Sequence, residues 1–372
     1  MKNAKCICLL LALFIVFSCK TGQETENPEK EIRKTAVSIQ GENFYINGKP
    51  TMQGILWNGI NMEGLLPNSR MVQGVFDDMN PETIEKWAYP DTHTWDAERN
   101  TKEFIDAMDD WYNHGLLAFT INLQGGSPEG YSKFQPWENN SFETDGSLRP
   151  EYLNRMERII DRADEIGMVV ILGIFYFGQD ERLKDDEAVK NAVDNTVDWL
   201  FKKGYTNVII EIANECNNSN FDQNLIKAEN IHDLIQLAKK EIDGRRFLVS
   251  ASYNGNTLPT PNVVAISDFI LIHGNGVHEP ARIREMVDQV REMDGFKPMP
   301  IVFNEDDHFD FDKPDYNMKA AFEKHASWGY FDFRMEGESF KDGYQSVPVD
   351  WGINSQRKKA FFHKLKEITG GK

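Results

Sequence analysis

The sequence predicts an α/β protein, a single (β/α)8 barrel with a short N-terminal β-hairpin cap and long loops after its strands. Three observations carry this reading: eight short apolar runs along the chain, amphipathic helical stretches between them, and a length of 372 residues, which suits one barrel. An open doubly wound sheet would call for a glycine-rich phosphate loop after an early strand, and "GILWNGIN" (54–61) lacks the G-x-G-x-x-G spacing.

The chain begins with "MKNAKCICLLLALFIVFSC", in which Lys2 and Lys5 precede an apolar run from Cys6 to Phe17 and the small residue Ser18. That pattern predicts an export signal over residues 1–19, too short to span a bilayer comfortably. Its ending "VFSC" resembles a bacterial lipoprotein lipobox, which implies lipidation at Cys19 and a place in the bacterial envelope, on the periplasmic or surface face of the outer membrane. Residues 20–36 read as a polar tether, and residues 37–370 as the barrel domain. With Cys6 and Cys8 removed and Cys19 carrying lipid, Cys216 is left alone, so no disulfide is expected within the domain.

The domain opens with "VSIQGENFYINGKP" (37–50), where alternating residues and Asn47-Gly48 predict a hairpin. The eight expected strands are 51–57, 116–123, 168–176, 207–214, 247–253, 269–273, 300–305 and 329–334. Between them, Leu153, Met156, Ile159, Ile160, Ala163 and Ile166 recur at helical spacing, as do Ile283, Met286, Val287, Val290 and Met293. Helices over 187–203 and 224–243 are expected to stop at Gly204 and Gly244. The segments 58–99 and 124–149 are then long loops after the first and second strands, placed to wall the mouth of the barrel.

The net charge is −18, and loss of Lys2 and Lys5 with the signal would make it −20. Such an acidic surface argues against nucleic acid or an acidic membrane face as partner, leaving membrane contact to the lipid anchor alone. A neutral ligand fits better. The expected strand ends bring together Trp57 and Asn58, Asn122 and Gln124, Tyr176, Asn214 and Glu215, Tyr253, His273 and Asn275, Glu305 and Asp306, and Arg334, with Trp351 as a further aromatic near the mouth. Amides that donate and accept, with ring faces that stack on C–H surfaces, suit a carbohydrate.

Two carboxyl groups stand out in that set. "NVIIEIANECNN" (207–218) delivers Glu215 at the exit of the fourth strand, and "PIVFNE" (300–305) delivers Glu305 at the exit of the seventh. Cleavage of a glycosidic bond needs such a pair, one to protonate the leaving oxygen and one to attack carbon or activate water. Burial of Glu215 is expected to raise its pKa so that it can donate near neutrality. Glu211 lies deeper in the same strand and reads as structural, in need of a buried basic partner. "EDDHFDFD" (305–312) has metal-ligand chemistry, but acids this close repel one another and more often form a polar loop, so neither metal nor other cofactor is expected.

With these residues the chain resembles the clan A glycoside hydrolases, the cellulase-like superfamily of retaining (β/α)8 enzymes. The Asn-Glu pair 214–215 and the strand-ending Glu305 carry the resemblance, with "FYINGKP" (44–50) as a similar opening. It implies Glu215 as acid and base, Glu305 as nucleophile, and Asn214 on the sugar 2-hydroxyl. The best-known members of that group place an arginine after strand two, a histidine after strand three, His-x-Tyr after strand six and a tryptophan after strand eight. Here those places show Asn122, Tyr176, His273 with Asn275, and Arg334. The departures leave room for an alternative, a noncatalytic glycan-binding lipoprotein on a hydrolase scaffold.

Overall fold

The computed structural model describes residues 33–371, so the expected signal, Cys19 and most of the tether lie outside the described residues. Val37–Gln40 (β1), Asn43–Ile46 (β2) and Lys49–Pro50 (β3) form a three-stranded antiparallel cap, the expected hairpin with one more strand. Its Phe44 is fully buried against Phe269, and the Val37 N–H donates to the Thr206 carbonyl, just ahead of a barrel strand. The cap therefore covers the bottom of the barrel. Docking starts before it, for Thr35 is buried and hydrogen-bonded to Asp164.

Residues 51–57 do not form the first barrel strand. Positive φ at Met52, Gly54, Asn58 and Gly59 makes this segment turn repeatedly, leaving only a small hairpin of Leu56–Trp57 (β4) and Ile60–Asn61 (β5). The barrel begins with Asn68–Arg70 (β6), inside what reads in sequence as a long loop. Ala97–Asn113 (α1), capped by the Asp96 side chain on the Arg99 N–H, leads to Ala118–Asn122 (β7). Pro150–Ile166 (α2) starts on a proline and stops at left-handed Gly167, delivering Val169–Phe175 (β8). Asp186–Lys203 (α3) ends at Gly204 as expected and is followed by Val208–Ala213 (β9).

The next helix is shorter than its sequence suggests. Ile231–Ala238 (α4) ends at Lys239, because residues 242–245 pair as a tight turn around Gly244. Leu248–Ser250 (β10), Pro261–Ile266 (α5), Ile270–His273 (β11), Pro280–Arg291 (α6), Ile301–Glu305 (β12), Asn317–Glu323 (α7), Gly329–Tyr330 (β13) and Gln356–Thr369 (α8) complete the chain. No described helix is long and apolar enough to cross a membrane.

The strands β10-β9-β8-β7-β6-β13 form one parallel sheet, and β11 pairs with β12. Contacts at two seams join these pieces into a ring. Bridges from Val302 to Ser327 and from Asp306 to Tyr330 link β12 to β13, and the Asp268 N–H donates to the Val249 carbonyl between β10 and β11. The fold is the predicted (β/α)8 barrel. β6 is its first strand, β9 its fourth and β12 its seventh, so Glu215 and Glu305 leave the same rim from opposite walls.

Candidate active site

Glu305 is the last residue of β12 and is nearly inaccessible. Arg70, the last residue of β6, brings its Nε within 2.8 Å of Glu305 Oε2, with both side chains buried. Asn275, in the loop after β11, donates Nδ2 to Glu305 Oε1 at 2.5 Å. Oε1 of Glu305 is thus held by a hydrogen bond and Oε2 by the charge of Arg70. Glu215 sits just beyond β9 in the left-handed region, φ 54°, with its N–H on the Ser252 Oγ. That backbone turn, unusual for a residue with a side chain, swings Glu215 across the mouth.

His273, at the end of β11, lies between them, with Nδ1 3.2 Å from Glu215 Oε1 and 3.7 Å from Glu305 Oε2. One ligand atom from each of the three lies within 4.8 Å of the others. Burial pushes Glu305 above the usual carboxylate range, although Arg70 and His273 pull it down. At Glu215 burial acts the same way, but the hydrogen bond and charge of His273 outweigh it and leave this group below its ordinary value. The expected raised Glu215 is therefore corrected, and His273 is the reason. Burial disfavours the imidazolium, yet the two glutamates overcome this and raise His273.

These groups border a cleft of about 380 Å³ lined by Arg70, Ser127, Tyr131, Lys133, Tyr176, Phe177, Asn218, Asn220, Phe331 and Gln345 beside the two glutamates. Tyr131 and Lys133 come from the loop 124–149, which does wall the mouth as expected. A larger depression of about 560 Å³ lies outside the barrel between α2 and α3, away from every strand end. The segment after β6 packs under the wall instead of lining it. Asp78 accepts from Trp87 Nε1 and the Glu138 N–H, and Trp87 packs edge-on against the buried Trp137.

Of the residues expected to meet a ligand, Glu215, Glu305, His273, Asn275 and Tyr176 converge at this mouth. Asn214 is close by but buried, its Oδ1 without a partner among the described residues. The others are elsewhere. Trp57 donates to Glu367 on α8 and Asn58 is on the exposed turn of the bottom hairpin. Asn122 points into the barrel interior, where a Cβ on Gly173 would come within 2.1 Å of its Oδ1. Gln124 is used up by Asn140, the Gln179 carbonyl and the Tyr176 N–H. Tyr253 is buried and bonded to Thr260, and Trp351 is buried against Tyr344 with its indole on Asn100. Arg334 clamps the carbonyls of Ser339, Ser346 and Pro348.

Asp306 is likewise structural. His308, Asn317 and Trp328 donate to its carboxylate, which engages the oxygens a metal would use. Glu211 is buried as predicted, but its hydrogen-bond partner is Asn304 at 3.4 Å rather than a base. Cys216 is buried, and burial pushes its thiol up to about 12, consistent with packing. Arg70, Tyr131 and Lys133 are the residues sequence reasoning missed. Arg70 was hidden because its strand, Asn-Ser-Arg, carries no apolar signal.

The family model for cellulase, glycosyl hydrolase family 5, matches residues 77–243, a little under half the chain. Over that stretch the chain is similar to the cellulase-like glycoside hydrolases of clan A. The matched region contains Glu215 but stops short of Glu305, whose place opposite Glu215 is supplied by the barrel. Among solved structures, the Rhizomucor miehei endo-1,4-β-mannanase is similar at 13% identity and TM-score 0.54, over 90% of this chain and 99% of that one. A broad-specificity endoglucanase from Bacteroides salanitronis is similar at 10% identity and TM-score 0.53, over 82% and 93%. A Bacteroides vulgatus protein provisionally classed as a glycoside hydrolase is similar at 14% identity and TM-score 0.53; the chain covers 61% of its length. No curated protein matches.

Proposed function

We propose that this protein is a glycosidase that cleaves O-glycosidic bonds of a poly- or oligosaccharide by a retaining double displacement, with Glu305 as nucleophile and Glu215 as acid and base. The observation that carries the reading is the spacing of the two carboxylates, an oxygen of each within 4.8 Å. Retaining enzymes hold their carboxyl groups about 5–5.5 Å apart, whereas inverting ones leave about 6.5–9.5 Å for a water between them. The environments support the division of roles. Glu305 is oriented by the Asn275 hydrogen bond on Oε1 and charge-paired with Arg70 at Oε2, which suits a carboxylate that must attack as an anion in one orientation. Glu215, with His273 and Asn218 beside it, has the more open side chain, so a glycosidic oxygen can reach it.

Protonation follows from the His273 contact. In the free site the shared proton rests on His273, and passing it along the 3.2 Å contact leaves neutral histidine and Glu215 in the acid form. Glu215 then protonates the departing oxygen as Glu305 bonds to the anomeric carbon. In the second half Glu215 takes a proton from water as that water displaces Glu305. Asn214 is assigned to the sugar 2-hydroxyl from the resemblance, and its unpartnered Oδ1 is available for it.

The test is product release from a panel including glucans and β-1,4-mannans, the polymers suggested by the similar structures, with Glu305→Gln alongside. Release that disappears in the variant supports the reading. With an activated aryl glycoside and azide, Glu215→Ala should yield a glycosyl azide of retained configuration and Glu305→Ala one of inverted configuration; the opposite pattern would exchange the roles. Binding without turnover by the wild type would favour the noncatalytic glycan-binding alternative. An exported, lipid-anchored setting belongs to the same proposal and rests on residues 1–19. Mass spectrometry of the protein from membranes would test it by detecting, or failing to detect, acylated Cys19.

A further inference from the structure

We infer that Asp180, Glu181 and Asp222 form a calcium site that ties the loop after β8 to the loop after β9, beside the catalytic mouth. Three observations lead there. First, one carboxylate oxygen from each of the three lies within 4.8 Å of the others, although they come from two separate loops. Second, Asp180 is fully buried, and only one of its oxygens is used: Oδ2 accepts the N–H groups of Asp222 and Gln223, while Oδ1 has no hydrogen-bond partner among the described residues. A buried carboxylate oxygen normally finds a donor or a cation. Third, the compensating charge is partial. Arg182 pairs with Glu181 Oε1 at 2.7 Å, and no ion pair to Asp180 or Asp222 is found among the described residues.

The donor set is all oxygen, which selects a hard cation over zinc or copper. Calcium accepts irregular carboxylate arrangements completed by water, whereas magnesium demands a near-ideal octahedron. The consequence reaches the cleft. Asn218 and Asn220 line it from the loop that continues to Asp222, so a cation at Asp180 would fix that wall.

The site does not depend on the glycosidase reading, and binding is measured directly. The full chain is freed of metal with chelator, dialysed, and titrated with calcium chloride by calorimetry and thermal unfolding, with magnesium chloride at matched ionic strength in parallel. Asp222→Asn is the test variant, since Asp222 is exposed and its backbone bond to Asp180 is retained. The expected result is saturable one-to-one binding, with Kd on the order of 10⁻⁴–10⁻³ M, accompanied by a higher melting temperature. Asp222→Asn should melt with the wild type in chelator and bind calcium at least tenfold more weakly. Absence of saturable binding in the wild type overturns the inference, as does an equal calcium response in Asp222→Asn, or magnesium matching calcium in both proteins.

Discussion

Arg70 is the residue whose role can be separated most cleanly from its neighbours. Its guanidinium offsets the charge of Glu305 in a site with little solvent, so Arg70→Met leaves that carboxylate buried and uncompensated. The pKa of Glu305, already raised by burial, must rise further once the lowering effect of Arg70 is gone. Because the proposed attack requires the anion, the acidic limb of the kcat/KM profile should move to higher pH, with a stability loss of about 3–5 kcal/mol. An unmoved limb would show that Arg70 does not control this charge; Arg70→Lys, which keeps the charge, should restore part of the shift. Both glutamates were legible in the sequence because apolar strands end on them. Arg70 was not, since a buried but wholly polar tripeptide looks like a loop.

The same masking acts on whole elements. Seven of the expected barrel strands are apolar runs that recur in the structure with trimmed ends, and α2 and α6 bury the residues whose helical spacing marked them. β6 fails the apolar criterion because Asn68, Ser69 and Arg70 are all buried yet polar, with Asn68 and Ser69 bonded to carbonyls of neighbouring strands or turns. Most amides and rings assigned to strand ends serve loops or core instead, since sequence gives a strand's end but not the direction each side chain takes after it. The interior of the barrel makes one specific demand. Gly173 on β8 faces Asn122 on β7 so closely that Gly173→Ala forces a side chain aside, which should cost about 1–3 kcal/mol in denaturant unfolding. Asn122→Ser combined with Gly173→Ala should recover part of that loss; strictly additive effects would mean that the two positions do not touch.

For the whole molecule, one buried charge on α8 leaves a signature in stability against pH. Lys358 donates to the Asp350 carbonyl and stands 4.1 Å over the Tyr344 ring, and burial lowers it to about 8. The folded chain releases this proton near 8 and the unfolded chain near 10.5, so across that window the unfolded state binds more protons and stability gains with pH. Relative to Lys358→Met, the wild type should therefore become steadily more stable between those values, as followed by urea unfolding at each pH; a constant difference would contradict the assignment. The bottom cap has a practical consequence of another kind. Arg33, bonded to Asp161 and to the Lys203 carbonyl, fixes the point where the chain enters the barrel at the face opposite the cleft. Coupled to a bead through its amino end, this protein would keep its mouth turned toward the liquid, and a bulky polymer would reach it as readily as a small glycoside does.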